Sequence, residues 1–271
     1  GQTGAKATDA AYDGAIQASS GMMSQNGHPE TGPTRTGYMP VDMSTALNTA
    51  FAISSALYRK ARTGRGQHID VAMMDTAIVM QAAQYSNWLN QGNLLGLRGN
   101  ASPTRQPTAD VFPTNDGFIQ VTALRQPQVE ALFKEIGIGD LLSQEKYATP
   151  VNRMNNPEPT VKAVTAAMQK ATTNEWMRRL APLGIPVAQV RELPEVVKDP
   201  QFEGRNAFVT LPSPIKAGAS ITVAKAGYVT NEDGPKVVSG PPRIGEHTDK
   251  ILRSIGYADA EIAKLREAGV I

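Results

Sequence analysis

The sequence contains no cysteine. Disulfides, thiolate metal sites, iron–sulfur clusters and thiol nucleophiles are thereby excluded, and a reducing cytoplasm is the expected setting. No apolar run approaches the ~20 residues that span a bilayer, so no membrane partner is expected. Neither sign of charge dominates: 27 Lys and Arg stand against 25 Asp and Glu, a net charge of +2. Lacking a basic stripe with aromatics set between its charges, the chain is not expected to bind nucleic acid. The three histidines, His28, His68 and His247, lie far apart in sequence, and no metal site is expected from them. There is no GxSxG elbow, Walker A loop, HExxH pair or EF-hand loop. Gly64-Arg65-Gly66 begins like a dinucleotide fingerprint. It lacks the third glycine and precedes a strand-like segment instead of following one.

What is present is an ordinary globular composition, 41% hydrophobic over 271 residues, enough for a sizeable core or two small ones. Residues 11–24 predict a short helix closed by the turn Asn26-Gly27. The segment 28–41, broken by Pro29, Pro33, Gly37 and Pro40, predicts a loop. The strongest helix signal runs from Met43 to about Arg62. Leu47, Ala50, Phe51, Ser54 and Leu57 follow its 3.6-residue period, Arg59, Lys60 and Arg62 suit its C-terminal dipole, and Gly64 stops it. His68–Met73 predicts a short strand, and Asp75 a cap for a helix over 76–89. Residues 91–110 mark a boundary. Beyond it, a turn at Asn115-Asp116-Gly117 leads to a strand over 118–122. Helices are expected at 126–137, 158–171 and 174–183, a strand at 185–190, short β pieces over 206–240, and a last helix at 258–268 with His247 and Thr248 as its caps. Pattern alone supports a mixed α and β fold.

The order of motifs resembles family III CoA-transferases, the CaiB/BaiF type. Gly1-Gln2-Thr3-Gly4, Ala11-Tyr12-Asp13, Gln17 and Gly21-Met22-Met23-Ser24 are similar to the family's "GQTGP…YD…Q…GLMS". Gly37-Tyr38-Met39-Pro40-Val41-Asp42 resembles "G-V-P-I-x-D", and the run from Ala56-Leu57-Tyr58 to Asp70-Val71 resembles "ALYERERTGKGQxxDVS". Phe112 to Gly117, Gly184-Ile185-Pro186, Asp199-Pro200 and Pro241 to Thr248 continue the series to the end of the chain.

The resemblance implies an α/β chain with a Rossmann-like large domain plus a smaller α+β domain, here incomplete at its N-terminus. Residues 1–95 would carry the catalytic helix, 96–204 the small domain, and 205–271 the return to the large domain. Family members precede the "GQTGP" run with a nucleotide-fold region. The chain is therefore expected to be a truncated or cleaved piece or one subunit of a split pair, and to be poorly soluble alone. Its partners would be acyl-CoA and a small carboxylic acid, with no permanently bound cofactor. Its assembly would be an interlocked homodimer, or a complex with a chain supplying the N-terminal region.

The family moves CoA from an acyl-CoA to a free acid, and a carboxylate nucleophile suits that task. By resemblance Asp42 is this nucleophile. By pattern alone it is a helix N-cap, a compatible role, since the N–H groups of a helix start favour a carboxylate and offer donors to an oxyanion. Tyr12, by resemblance, lies near the thioester end of CoA; by pattern it is an aromatic anchor on a short helix. A histidine stands at this place in the related α-methylacyl-CoA racemases, so Tyr12 favours transfer, a phenol of pKa near 10 being a poor base for an α-proton. Racemisation and a non-catalytic binding role are the competing readings. Asp13 and Gln17 are read only as support for the first helix, and Asp70 as a turn residue. No run of consecutive glycines occurs, unlike in formyl-CoA:oxalate transferases, so oxalate is not assigned. A guanidinium from Arg98 or Arg105, in the boundary loop, suits an acceptor carboxylate.

Overall fold

Tyr12, in extended backbone, stands before the first helix, α1, at Asp13–Ser19. Two short strands follow, β1 (Gly27–His28) and β2 (Gly32–Pro33), paired antiparallel. Helix α2 (Pro40–Thr63) comes next. Pro40 at its first position has its backbone angle preset for a helix and no N–H to leave unsatisfied. Gly64 closes it in the left-handed conformation, its N–H donating to the Lys60 carbonyl at 2.8 Å, and the Arg59 guanidinium donates to the Arg65 and Gly66 carbonyls at 2.6 and 3.2 Å. This computed structural model describes all residues, Gly1–Ile271, as two compact units, Gly1–Val190 and Arg191–Ile271.

The expected strand at 68–73 does not form. Residues 68–72 are irregular and Met73 begins the next helix; no strand of the chain runs beside the segment, and Asp70 instead accepts the Gln2 N–H at 2.7 Å. The expected helix over 76–89 is two helices, α3 (Met73–Met80) and α4 (Ala82–Gln91), with a break at Gln81. The buried Gln81 amide donates to the Ser20 and Ala77 carbonyls at 3.1 and 3.0 Å, which fixes the bend. Asp75 lies inside the first turn of α3, so it is not the cap; Ala72 holds that position.

The rest of the first unit is built on an antiparallel sheet of order β3-β4-β5, with β3 at Ala109–Pro113, β4 at Phe118–Thr122 and β5 at Val187–Gln189. Ile119 and Val121 point inward from β4 while Phe118 is exposed, the period-two alternation of a half-buried strand. Helix α5 (Gln126–Glu135) is followed by the short α6 (Glu145–Ala148) and α7 (Pro150–Asn155). Then come α8 (Pro157–Met168) and α9 (Thr173–Leu180). The main core draws Phe112, Ile119, Val121, Val129, Leu132, Phe133, Val164, Met168, Trp176 and Leu180 from these elements. Asp116, in the β3–β4 turn, accepts the Thr173 N–H and hydroxyl at 2.8 and 2.9 Å, so a turn residue fastens the start of α9. These hydrogen bonds from Thr173 hold its carboxyl below the usual range.

In the second unit α10 (Leu193–Val196) and α11 (Pro200–Gly204) precede the hairpin of β6 (Phe208–Pro212) and β7 (Ser220–Ala224). The chain ends in α12 (Thr248–Ser254) and α13 (Asp259–Glu267). His247 and Thr248 therefore start α12 and do not cap the last helix, and the His247 side chain makes no capping bond. Every strand pair in the chain is antiparallel; the fold is mixed α and β, with no parallel, Rossmann-like pairing within these residues.

Candidate active site

Asp42 is the third residue of α2, not its N-cap. Met39 occupies the cap position and its side chain makes no capping bond. The donors at the start of α2 are satisfied from outside the helix, by Asp13. One oxygen of the buried Asp13 carboxylate accepts the N–H groups of Val41 at 2.9 Å and Asp42 at 3.0 Å. Its other oxygen accepts from Gln17 at 2.5 Å. Burial pushes the Asp13 carboxyl up, but hydrogen bonds from Gln17, Asp42 and Val41, with the Arg35 charge beside them, outweigh it and hold the group below the usual range.

Gln17, itself fully buried, extends this network. Its amide nitrogen donates to the Thr36 hydroxyl at 3.0 Å, and its amide oxygen accepts the Thr36 N–H at 3.1 Å. The Thr36 hydroxyl donates to the Tyr38 carbonyl at 2.9 Å. Asp13 and Gln17, read from sequence as mere support for α1, thus anchor the loop that delivers Asp42. The spacing of four between them was the available signal, since it places both on one face of a helix; their distant partners lay beyond any local pattern.

One sequence expectation fails here. The first turn of α2 offers no free donors to an oxyanion: Pro40 has no N–H, those of Val41 and Asp42 go to Asp13, and that of Met43 goes to the Met39 carbonyl at 3.2 Å. Oxyanion donors must come from elsewhere. Asp42 itself is exposed. Tyr12 precedes α1 with 80% of its surface exposed, and its carbonyl accepts the Ile16 N–H at 3.0 Å. Since Asp13 follows Tyr12 and binds the Asp42 backbone, the two expected site residues sit at helix starts joined through one carboxylate. A cavity of about 470 Å³ in the second unit contains neither. No group of three or more His, Asp or Glu is placed to hold a metal ion.

The exposed face of α2 is unusual. Met43, Leu47, Phe51, Leu57 and Tyr58 all lie open, Phe51 at 73%, and only Pro40 and Val41 of its 24 residues are buried. The periodic stripe therefore faces no element of this chain.

A profile of CoA-transferase family III matches residues 1–248. The chain belongs to CoA-transferase family III. An acyl-CoA transferase of Fusarium pseudograminearum is 30% identical over the whole of this chain and 59% of its own length. A succinate–glutarate CoA-transferase of Agrobacterium fabrum is 29% identical over 94% of this chain and 63% of its own. Among solved structures, a CaiB/BaiF family protein of Brucella suis superposes with a TM-score of 0.80 at 29% identity, covering 94% of this chain and 65% of that one. This family III chain thus spans less than two thirds of the length of the relatives it matches.

Proposed function

We propose that the chain takes part in CoA transfer from an acyl-CoA to a free carboxylic acid, with Asp42 as the nucleophile. The observation that carries this reading is the placement of Asp42. It is an exposed carboxylate in the first turn of a long helix, on backbone pinned by the buried Asp13. The likeness to proteins named as CoA-transferases supports the reaction class.

In the proposed sequence the Asp42 carboxylate attacks the thioester carbonyl, the C–S bond breaks and CoA leaves as thiolate, giving a mixed anhydride. The thiolate attacks the Asp42 carbonyl of that anhydride, releasing the donor acid and leaving an aspartyl-CoA thioester. The acceptor carboxylate then attacks that thioester and expels the thiolate, which attacks the acceptor carbonyl and frees Asp42. No net proton is taken up or lost. In this reading Tyr12, which is exposed, lines the thioester end of CoA. No observation favours the racemase reading, and the relatives above are named as transferases.

The same reading assigns residues 96–204 to the small domain, supported by a main core drawn entirely from residues 112–185. It assigns the remaining wall of the CoA site, and the cover for the apolar stripe of α2, to a second copy or to a chain or segment carrying the nucleotide-fold region. A cysteine-free sequence fits a reducing, cytoplasmic setting.

The test is intact and peptide mass spectrometry after incubation with an acyl-CoA and hydroxylamine. A hydroxamate on Asp42 is expected. No modification across several acyl-CoAs, with the chain alone and with its partner region supplied, would restrict it to a binding role.

A further inference from the structure

Four buried side-chain atoms in the chain lack any hydrogen-bond partner: Arg98 Nε, Gln106 Oε1, Arg153 Nε and Thr160 Oγ1. Two of them, on Arg98 and Gln106, belong to one cavity wall. Arg98 and Gln106 line a cavity of about 240 Å³ between the boundary loop and the helices α7 and α8. Met154, Pro157 and Val161 of these helices form its apolar side. Unpartnered buried polar atoms are rare and point to an absent ligand or water.

The cavity is also cationic. Arg105 joins Arg98 in its wall, and neither forms an ion pair; those of the chain are made by Arg179, Arg191, Arg253 and Arg266. Arg105 adopts a left-handed backbone, φ 64°, without being glycine. That conformation is strained, and a tight turn holds it, the Arg105 N–H donating to the Ser102 carbonyl at 2.9 Å. Gln106 is 8% exposed, with its amide nitrogen turned to the Pro150 carbonyl at 3.5 Å. Asp110 completes the polar lining; its carboxylate accepts its neighbour's N–H, from Val111, at 2.7 Å.

The loop bearing Arg98 is tied to the Asp42 segment. The Gly99 N–H donates to the Gly27 carbonyl at 2.7 Å, and a side chain at Gly99 would run into the His28 ring. From β1 the chain passes through β2 to Thr36, which Gln17 and Asp13 join to the start of α2.

We infer that this cavity is an oxyanion subsite in which Arg98 and Arg105 take a carboxylate of the acceptor acid. Guanidinium forks match the two oxygens of a carboxylate. In the cavity wall Arg98 Nε is an orphan donor and Gln106 Oε1 an orphan acceptor, so a carboxylate with one bridging water satisfies both. The volume suits a small acid. Only the identity of the acid rests on the proposed transfer reaction.

The test is calorimetric titration of the full chain with glutarate, propionate and coenzyme A, for wild type, Arg98→Gln and Arg105→Gln. Circular dichroism melts confirm folding, and Arg98→Lys serves if Arg98→Gln unfolds. Glutarate is expected to bind wild type at least tenfold more tightly than either glutamine variant, with coenzyme A unaffected. If coenzyme A alone loses affinity, the oxyanion is a phosphate and the acceptor assignment is overturned. Wild type binding no glutarate, or all variants binding it equally, overturns the subsite and leaves ordered water in the cavity. Arginine-dependent glutarate binding without a hydroxamate on Asp42 keeps the subsite and removes the reaction; the converse removes the subsite alone.

Discussion

Replacing Asp13 with alanine removes the acceptor for the Val41 and Asp42 N–H groups and for one bond from the Gln17 amide, which keeps its bonds to Thr36, while leaving Asp42 itself intact. Hydrogen bonds to a charged partner contribute about 1.5–3 kcal/mol, and a buried donor left alone incurs its desolvation penalty. The change should therefore weaken the start of α2 by about 3 kcal/mol, or roughly 150-fold in local opening at 1.36 kcal/mol per decade. Native-state amide exchange reads this residue by residue. Val41 and Asp42 should exchange about two orders of magnitude faster, with α5 in the main core as the unchanged control. Asp13→Asn keeps one acceptor and should fall between. The effect has a pH signature. The folded-state pKa of Asp13 is lowered, so its contribution is fully present above the unfolded value of about 3.9 and is lost as pH falls through the folded-state pKa. Wild type should converge on Asp13→Asn in acid and separate from it at neutral pH. Equal protection of Val41 and Asp42 in wild type and Asp13→Ala would refute the anchoring role.

Arg153 is 0% exposed and donates to the Tyr147 carbonyl at 2.7 Å and to Gln126 Oε1 at 2.8 Å; burial pulls its pKa down. Arg153→Ala leaves a void and two acceptors without their donor and should destabilise the first unit by about 3 kcal/mol, seen as a lower urea midpoint by fluorescence of the buried Trp176 in a Trp88→Phe background, and an unmoved midpoint would contradict it. The open apolar stripe of α2 should drive self-association of the chain alone. Leu47→Ser with Phe51→Ser should reduce dye binding and light scattering, whereas a wild-type chain that stays monodisperse at high concentration would contradict the exposure argument.

The local signals of the sequence were sufficient wherever one segment decides its own structure. Gly64 ends α2, the Asn115-Asp116-Gly117 turn leads into β4, and the helix signals after 126, 158 and 174 each give a helix, because periodicity and turn chemistry act within a few residues. The ordered motifs likewise identified the family before any geometry. Tertiary structure decided what depends on a distant partner. The segment 68–73 alternates weakly like a strand but has no neighbouring strand, so 68–72 stay irregular and Met73 joins α3. Asp42 looks like a cap, yet Pro40 starts the helix two residues earlier and Asp13, 29 residues back, takes the cap's role. The helix-start donors expected for an oxyanion are consumed by that same carboxylate. Arg98, Arg105, Gln106 and the α7–α8 turn meet around one cavity only after the chain folds. Each of these outcomes rests on the presence or lack of a partner remote in sequence, and a local pattern carries no record of such a partner.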